Sequence, residues 1–273
     1  MPEGDILRRT AAALDRALAG RVLVRSELRW PTVAGLTFVD RTVLGTAAYG
    51  KHLLTRFDDG RSLHTHLRME GAWRIVPTSS PSAAGRPATV RAVLATADQT
   101  ALGVRLGMVD VVRTRDENTL VGHLGPDVLA EDFPAEGLAV ALERWAARAG
   151  TPAVEVLLDQ TVAAGIGTIY AAESLFARGI WPWTPADEVA DPATLLMTAR
   201  FLMARSVAAP SPTATGETAP GRTTRVHGRT GLGCRRCGTP IRQGTARAAP
   251  QERPVYYCPT CQPAEGRGLS RRA

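Results

Sequence analysis

The chain has 273 residues, 44% of them hydrophobic, with 33 basic side chains against 26 acidic ones and a formal net charge of +7. That length predicts two domains, and the apolar fraction is enough to fill a real core. No apolar run approaches the ~20 residues that span a bilayer, and the start "MPEGDILRR", with acids before any apolar segment, does not fit a signal peptide, so the expectation is a cytoplasmic protein whose cysteines serve as metal ligands or thiols rather than disulfides.

Residues 5–19, "DILRRTAAALDRALA", place Ile6, Leu7, Leu14 and Leu18 near one helical face, and Gly20 supplies a stop. From about residue 21 to 115 the pattern becomes β-like. "KHLLTRF-DDG-RSLHTHL" predicts two strands joined by a tight turn at Asp59-Gly60, and "ATVRAVLAT-ADQT-ALGVRL" predicts a second hairpin. Between them "VPTSSPSAAGRPA" is a polar loop. A helix followed by antiparallel strands predicts a sandwich. After "HLGPDVL" the periods lengthen, and "AEGLAVALERWAARAG", "YAAESLFARG" and "DPATLLMTARFLMARSVAA" predict the helices of a second domain. "APSPTATGETAPG", residues 209–221, is rich enough in Pro, Thr and Gly to predict a mobile loop.

Residues 222–273 hold 11 arginines and two glutamates, so the charge is concentrated at the end of the chain. A basic segment on a near-neutral body is an electrostatic footprint for a polyanion, most often nucleic acid. All four cysteines lie there, as Cys234-x2-Cys237 and Cys258-x2-Cys261. Each pair sets two thiolates on one tight turn, and two facing turns make a tetrahedral zinc site. Four thiolates leave no open position, so the zinc is expected to be structural and to hold a hairpin.

"MPEGD" begins with a methionine that is normally removed before so small a residue, exposing Pro2 as a secondary amine. Such an amine can attack an aldehyde-like sugar carbon and form an iminium, an electron sink that permits elimination of a phosphate. Its pKa of roughly 8 leaves a useful fraction as free base. Glu3, beside it, is placed to shuttle protons. Lys51, in "AAYGKHLL", is the only lysine among the 33 basic residues. Either it is a chance survivor in an arginine-rich composition, or its position needs a compact, flexible ammonium.

In this order the chain carries "PEG", "YGKHL", "SLHTHLRMEGAWRI", "LGPDVL", "LLDQTVAAGIGTIYAAESLFARGI", "VHGRTGLGCRRCGTPI" and "RPVYYCPTCQ". Together these stretches, covering residues 2–262, resemble the formamidopyrimidine-DNA glycosylase/endonuclease VIII family of base-excision repair enzymes. "PEGD" and "MEGAWR" look most like its actinobacterial endonuclease VIII-like branch. The resemblance implies an α+β multidomain chain with an N-terminal β-sandwich, a helix-two-turns-helix domain and a C-terminal zinc-finger hairpin. DNA would lie in the cleft between halves. The expected division is a catalytic domain over residues 2–122, the helical DNA-binding domain with its mobile loop over 123–221, the zinc hairpin over 222–263 and a disordered tail over 264–273.

Residue by residue, the resemblance implies that Pro2 is the nucleophile, Glu3 the acid/base and Lys51 the lysine beside the sugar phosphate. Met69 would fill the gap left by a flipped nucleotide, a use that suits an apolar, flexible thioether. Thr168 would sit at a helix N-terminus facing a DNA phosphate, and Arg253 would grip phosphate from the hairpin. His64, His66, His123 and His227 are expected to be structural, since none has ligand spacing to the cysteines. Two positions depart from the family pattern: Ile6 stands where a second glutamate is usual, and Thr168 where asparagine is usual. The zinc hairpin is also longer than usual.

These readings imply a bifunctional DNA glycosylase and abasic-site lyase acting on damaged double-stranded DNA. It would be a monomeric bacterial protein of the nucleoid, with one zinc ion per chain and no membrane association. The rival readings are a non-catalytic damaged-DNA-binding protein on the same scaffold and a zinc-ribbon nucleic-acid adaptor. The lesion is not legible, although the resemblance favours oxidised bases.

Overall fold

In the computed structural model, which describes residues 2–247 and 250–264, the first helix, α1 (Gly4–Leu18), turns its apolar stripe inward. Leu7, Ala11, Leu14 and Leu18 recur at helical spacing and are buried, while Ile6 is only partly covered. Eight strands follow: β1 (Arg25–Leu28), β2 (Val43–Tyr49), β3 (His52–Phe57), β4 (Arg61–His66), β5 (Ala72–Pro77), β6 (Val90–Ala95), β7 (Gln99–Val104) and β8 (Met108–Arg113). They form two four-stranded antiparallel sheets, ordered β1-β6-β7-β5 and β2-β3-β4-β8. Leu28, Leu94 and Ala101 of one sheet share a core with Leu53, Phe57, Leu63 and Val109 of the other, and Leu7 and Leu14 complete it. This is the predicted sandwich, with α1 packed into it. The two hairpins read from the sequence are β3–β4 and β6–β7.

Helix α1 is tied to β2 by a polar contact: Asp15 Oδ1 accepts the Thr46 amide at 3.0 Å. The register of β2 against β3 slips between Val43 and Gly45, a bulge that bends the strand where the helix approaches. The short helix α2 (Asn118–Val121) ends this unit, which runs to His123.

From Leu124 onward the chain forms a second compact unit. Its helices are α3 (Leu138–Ala146), α4 (Ala153–Leu158), α5 (Thr168–Arg178) and α6 (Pro192–Ala208). Asp191 caps α6 by accepting the Thr194 amide, with Pro192 in its first turn. Between α4 and α5 the chain makes a double turn held by its own polar side chains. Asp159 Oδ1 accepts the Thr161 amide and hydroxyl, while Gln160 donates to the Leu158 and Ile166 carbonyls and accepts the Gly165 amide. Helix α4 was not foreseen, because six residues are too few to display a helical period.

The cysteine hairpin is β9 (Arg242–Ala246) against β10 (Arg253–Tyr257). It shares the core of this unit: Ala246 and Val255 cluster with the helices, and Cys234, Cys258 and Cys261 pack with Ala172 and Phe176 of α5. Within residues 209–221, where composition predicts a mobile loop, the centre is packed and internally hydrogen-bonded. Thr213, Ala214 and Thr215 are buried. The Thr213 hydroxyl accepts the Thr215 and Gly216 amides and donates to the Glu217 carbonyl, and the Ala214 amide reaches Thr223 O. Threonine hydroxyls supply inside this loop the hydrogen bonds that composition alone assigns to solvent. The tail expected as disordered lies, beyond Ala264, outside the described residues. No helix of the described residues is long and apolar enough to cross a membrane.

Candidate active site and metal centre

Pro2 and Glu3 immediately precede α1, with Glu3 at its N-cap. Pro2 is half-buried, whereas Glu3 is only 1% exposed. Burying a carboxylate is costly unless it is paired or hydrogen-bonded, so the surroundings of Glu3 must supply it with partners. Asp5, in the first turn of the same helix, is a second buried carboxylate. Sequence reasoning passed over it and weighed Ile6 instead, but Ile6 packs against the sandwich core and carries no polar role there.

Lys51 sits in the turn joining β2 to β3, and α1 packs on β2. The turn is tight because Gly50 takes φ +55°, a backbone conformation costly for a residue with a side chain. Lys51 is buried, at 8% exposure. Burial sets Lys51 apart from the mostly exposed lysines of folded proteins.

A polar row that includes His64 and His66, both expected to be structural, runs beside Lys51. His52 pairs across the strands with His66, and His64 lies opposite Asp110. The His52 Nδ1 to His64 Nε2 distance is 2.8 Å, and His64 Nδ1 lies 3.3 Å from Asp110 Oδ2. The rings of His52 and His64 stack, with centroids 5.0 Å apart. His66 Nδ1 accepts the Arg68 amide at 2.9 Å. Burial, followed by the charges of neighbouring His64, His66, His123 and Arg68, pushes His52 down to about 3. Burial, with Arg68, His64 and Lys51 nearby, pushes His66 down to about 4. The signal was present in the sequence: "SLHTH" puts His64 and His66 on one strand face, and the Asp59-Gly60 turn brings His52 opposite His66.

Met69 projects from the turn between β4 and β5 and is 67% exposed. Read without the resemblance it would be a core residue; the structure places it outside the core. The turn closes through the Gly71 amide on the Leu67 carbonyl at 2.8 Å, an approach that a Cβ on residue 71 would block at 2.4 Å.

In the second unit, Thr168 is the first residue of α5, and Gly167 at the N-cap adds no capping side chain. The positive end of the helix dipole lies there. Arg253 opens β10, and its Nη1 donates to the Glu252 carbonyl at 2.9 Å. Another buried acid, Glu173 of α5, accepts the amides of Arg225, Val226 and His227 at 2.8 to 2.9 Å, although burial pushes its carboxyl up. It staples the chain entering the cysteine hairpin to α5.

The four cysteine sulfurs gather within 4.8 Å of one another, with Cys237–Cys258 at 3.4 Å and Cys234–Cys261 at 4.0 Å. Tetrahedral coordination at a metal–sulfur distance near 2.3 Å asks for sulfurs about 3.8 Å apart. The arrangement therefore fits one tetrahedral metal ion with no protein ligand missing. Burial pushes the Cys258 and Cys261 thiols up, while the Thr239 hydroxyl helps bring Cys237 down to about 6. A bound cation would favour the thiolate at all four.

Comparisons with known proteins agree with this construction. Residues 1–113 match the family model described as the formamidopyrimidine-DNA glycosylase N-terminal domain, and residues 124–214 match that family's H2TH domain. A Streptomyces coelicolor protein called probable endonuclease 8 2 is 42% identical, over 96% of this chain and 94% of its own length. A Mycolicibacterium smegmatis protein called DNA-(apurinic or apyrimidinic site) lyase Nei2 is 40% identical, over 97% of this chain and all of its own length. The Lactococcus lactis formamidopyrimidine-DNA glycosylase, solved non-covalently bound to DNA containing an AP site, shares the fold with a TM-score of 0.79 at 22% identity, covering 96% of this chain and 99% of that one. With both family domains and relatives above 30% identity spanning nearly its whole length, this chain belongs to the formamidopyrimidine-DNA glycosylase/endonuclease 8 family.

Proposed function

We propose that the chain is a bifunctional DNA glycosylase and abasic-site lyase of base-excision repair. The observation that carries this reading is a buried carboxylate, Glu3, directly following Pro2, whose nitrogen becomes the chain's amino group once the initiator methionine is removed. In the proposed reaction the Pro2 nitrogen attacks the sugar C1′ and loses its proton, the bond from sugar to damaged base breaks and the base leaves with a proton, and the C1′–O4′ bond then opens with O4′ taking a proton, which leaves an iminium between C1′ and the nitrogen. The resulting iminium acidifies C2′; loss of that proton expels the 3′ phosphate, and water then releases the enzyme. Glu3 moves the protons. Lys51 neutralises a phosphate beside the sugar, Met69 fills the vacated place in the stack, and Thr168 and Arg253 hold backbone phosphates.

In this reading residues 2–122 carry the chemistry, residues 123–221 bind DNA, and residues 222–263 form a hairpin held by one structural zinc ion on Cys234, Cys237, Cys258 and Cys261. The chain works as a monomer on chromosomal DNA, in the bacterial cytoplasm, with oxidised bases as the lesion class. The test is to measure strand cleavage on duplexes carrying an abasic site or an oxidised base. An abasic sugar already exposes its aldehyde, so attack there needs no base departure. Apolar Ile6 supplies no second acid for base release. The abasic duplex should be cut faster by about the worth of one general acid, roughly 10²–10⁴. Equal rates would show that base release is not the harder step, and no cleavage of either would favour the non-catalytic damage binder.

A further inference from the structure

We infer that the second unit contains a separate anion site built for a diphosphate group. Arg205 of α6, Arg225, and Arg235 and Arg236 between the first cysteine pair line a cavity of about 430 Å³, with Glu173 the one carboxylate on its wall. That volume is within the usual range for a small-ligand pocket.

Apart from Arg225, the charges in this cavity are held in place by groups that do not neutralise them. Glu173 is occupied by its three backbone amides. Glu217, which pairs with Arg225 at 3.2 Å, is shared with Arg222. The other guanidiniums rest on neutral carbonyls. Arg205 Nη2 donates to Ala214 O at 2.6 Å, Arg235 donates to Thr224 O and Gly221 O, and Arg236 donates to Phe176 O while lying 4.3 Å over that ring. Carbonyls fix the orientation of a guanidinium but leave its charge. Among the described residues, no acceptor reaches the buried Arg205 Nε.

The cavity lies at the far end of both elements that carry the proposed DNA contacts. Ala177, on its wall, is nine residues along α5 from Thr168, or ~13 Å at the helical rise. Arg235 and Arg236 sit on the metal turn, and β10 separates Arg253 from Cys258 by five residues, or ~17 Å of extended chain. Guanidinium forks match phosphate oxygens two at a time, and four of them outweigh what a single carboxylate ligand could balance. Leu202 and Ala214 add an apolar wall, so the diphosphate can be free or carried on a nucleoside. Occupation would tie Arg205 and Arg225, at the two sides of the buried Thr213–Thr215 loop, to the metal turn.

The test is calorimetric titration of the metal-loaded full chain with inorganic pyrophosphate and with adenosine diphosphate at constant ionic strength, with thermal melting in parallel. One saturable site per chain and a raised melting temperature are expected. Arg235→Gln, on an exposed side chain, and Arg225→Gln, which keeps its backbone bond to Glu173, should each weaken binding about tenfold. Lys51→Ala and Arg253→Ala should leave it unchanged. Binding of pyrophosphate alone assigns a free diphosphate, and equal or tighter binding of adenosine diphosphate assigns a nucleotide; both sustain the site. Failure of both ligands, binding that survives Arg225→Gln and Arg235→Gln, binding lost with Arg253→Ala, or release of metal during titration would overturn it.

Discussion

A carboxylate accepts hydrogen bonds and does not donate them, so Asp110 assigns the proton it shares to His64 Nδ1. His64 Nε2 must then accept, which puts the next proton on His52 Nδ1 and leaves His52 Nε2 as an acceptor. His66, accepting the Arg68 amide at Nδ1, carries its proton on Nε2. The row beside Lys51 is thus a set of neutral imidazoles with fixed proton positions, and it is sensitive to acid. His52 and His66 titrate near 3 and 4 in the folded chain, against 6.5 for the free side chain. The unfolded chain binds their protons first, so stability is present above pH 6.5 and is lost as the pH falls towards 4. Each group contributes a slope of up to about 1.4 kcal/mol per pH unit in that window. Urea unfolding at pH 7 and pH 5 should show the loss, and His52→Gln with His66→Gln should flatten it. An unchanged slope in the double variant would remove these histidines from the account.

At the scale of elements, the hairpin β9–β10 carries Arg253 at one end and a cysteine pair at the other. If Arg253 grips phosphate, Arg253→Ala should weaken DNA binding. It should also flatten the dependence of log affinity on log salt by about 0.9, one phosphate contact's worth. An equal slope in the variant would show that Arg253 does not reach DNA. How far such elements were legible beforehand depended on whether their signal was local. The Asp59-Gly60 turn, the stripe on α1 and the paired cysteine spacing are each written within a few residues, and the structure has them where expected. Helix α4 has too few residues to show a period. The loop at Thr213–Thr215 looks soft by composition but is closed by threonine hydroxyls whose partners only the fold supplies. The histidine row needed the strand register, and the arginine-lined cavity needed residues brought together from α5, α6 and the metal turn. Among the candidate site residues, Pro2 and Glu3 stand out by their place at the chain start only together with the family resemblance, whereas buried Asp5 carries no signal because an acid in a first helical turn is commonplace.

For the whole molecule, the metal centre and the chemistry make separate demands. The cysteine cluster shares a small core with Ala172 and Phe176 of α5, so removing the metal should loosen the hairpin and the end of that helix together. Chelation should lower the melting temperature and abolish tight DNA binding while leaving the sandwich, which has its own core, folded. A chelated protein that keeps both its melting point and its affinity would show that the cluster does not hold the fold. The central claim is that a covalent intermediate forms on Pro2 once the initiator methionine is removed. Its most direct measurement is borohydride reduction of the protein mixed with abasic duplex DNA, followed by mapping of the crosslinked peptide. The account predicts a stable crosslink on the nitrogen of Pro2, lost when a tag blocks the amino terminus. A crosslink on Lys51, or none at all on a chain that still nicks abasic DNA, would contradict it.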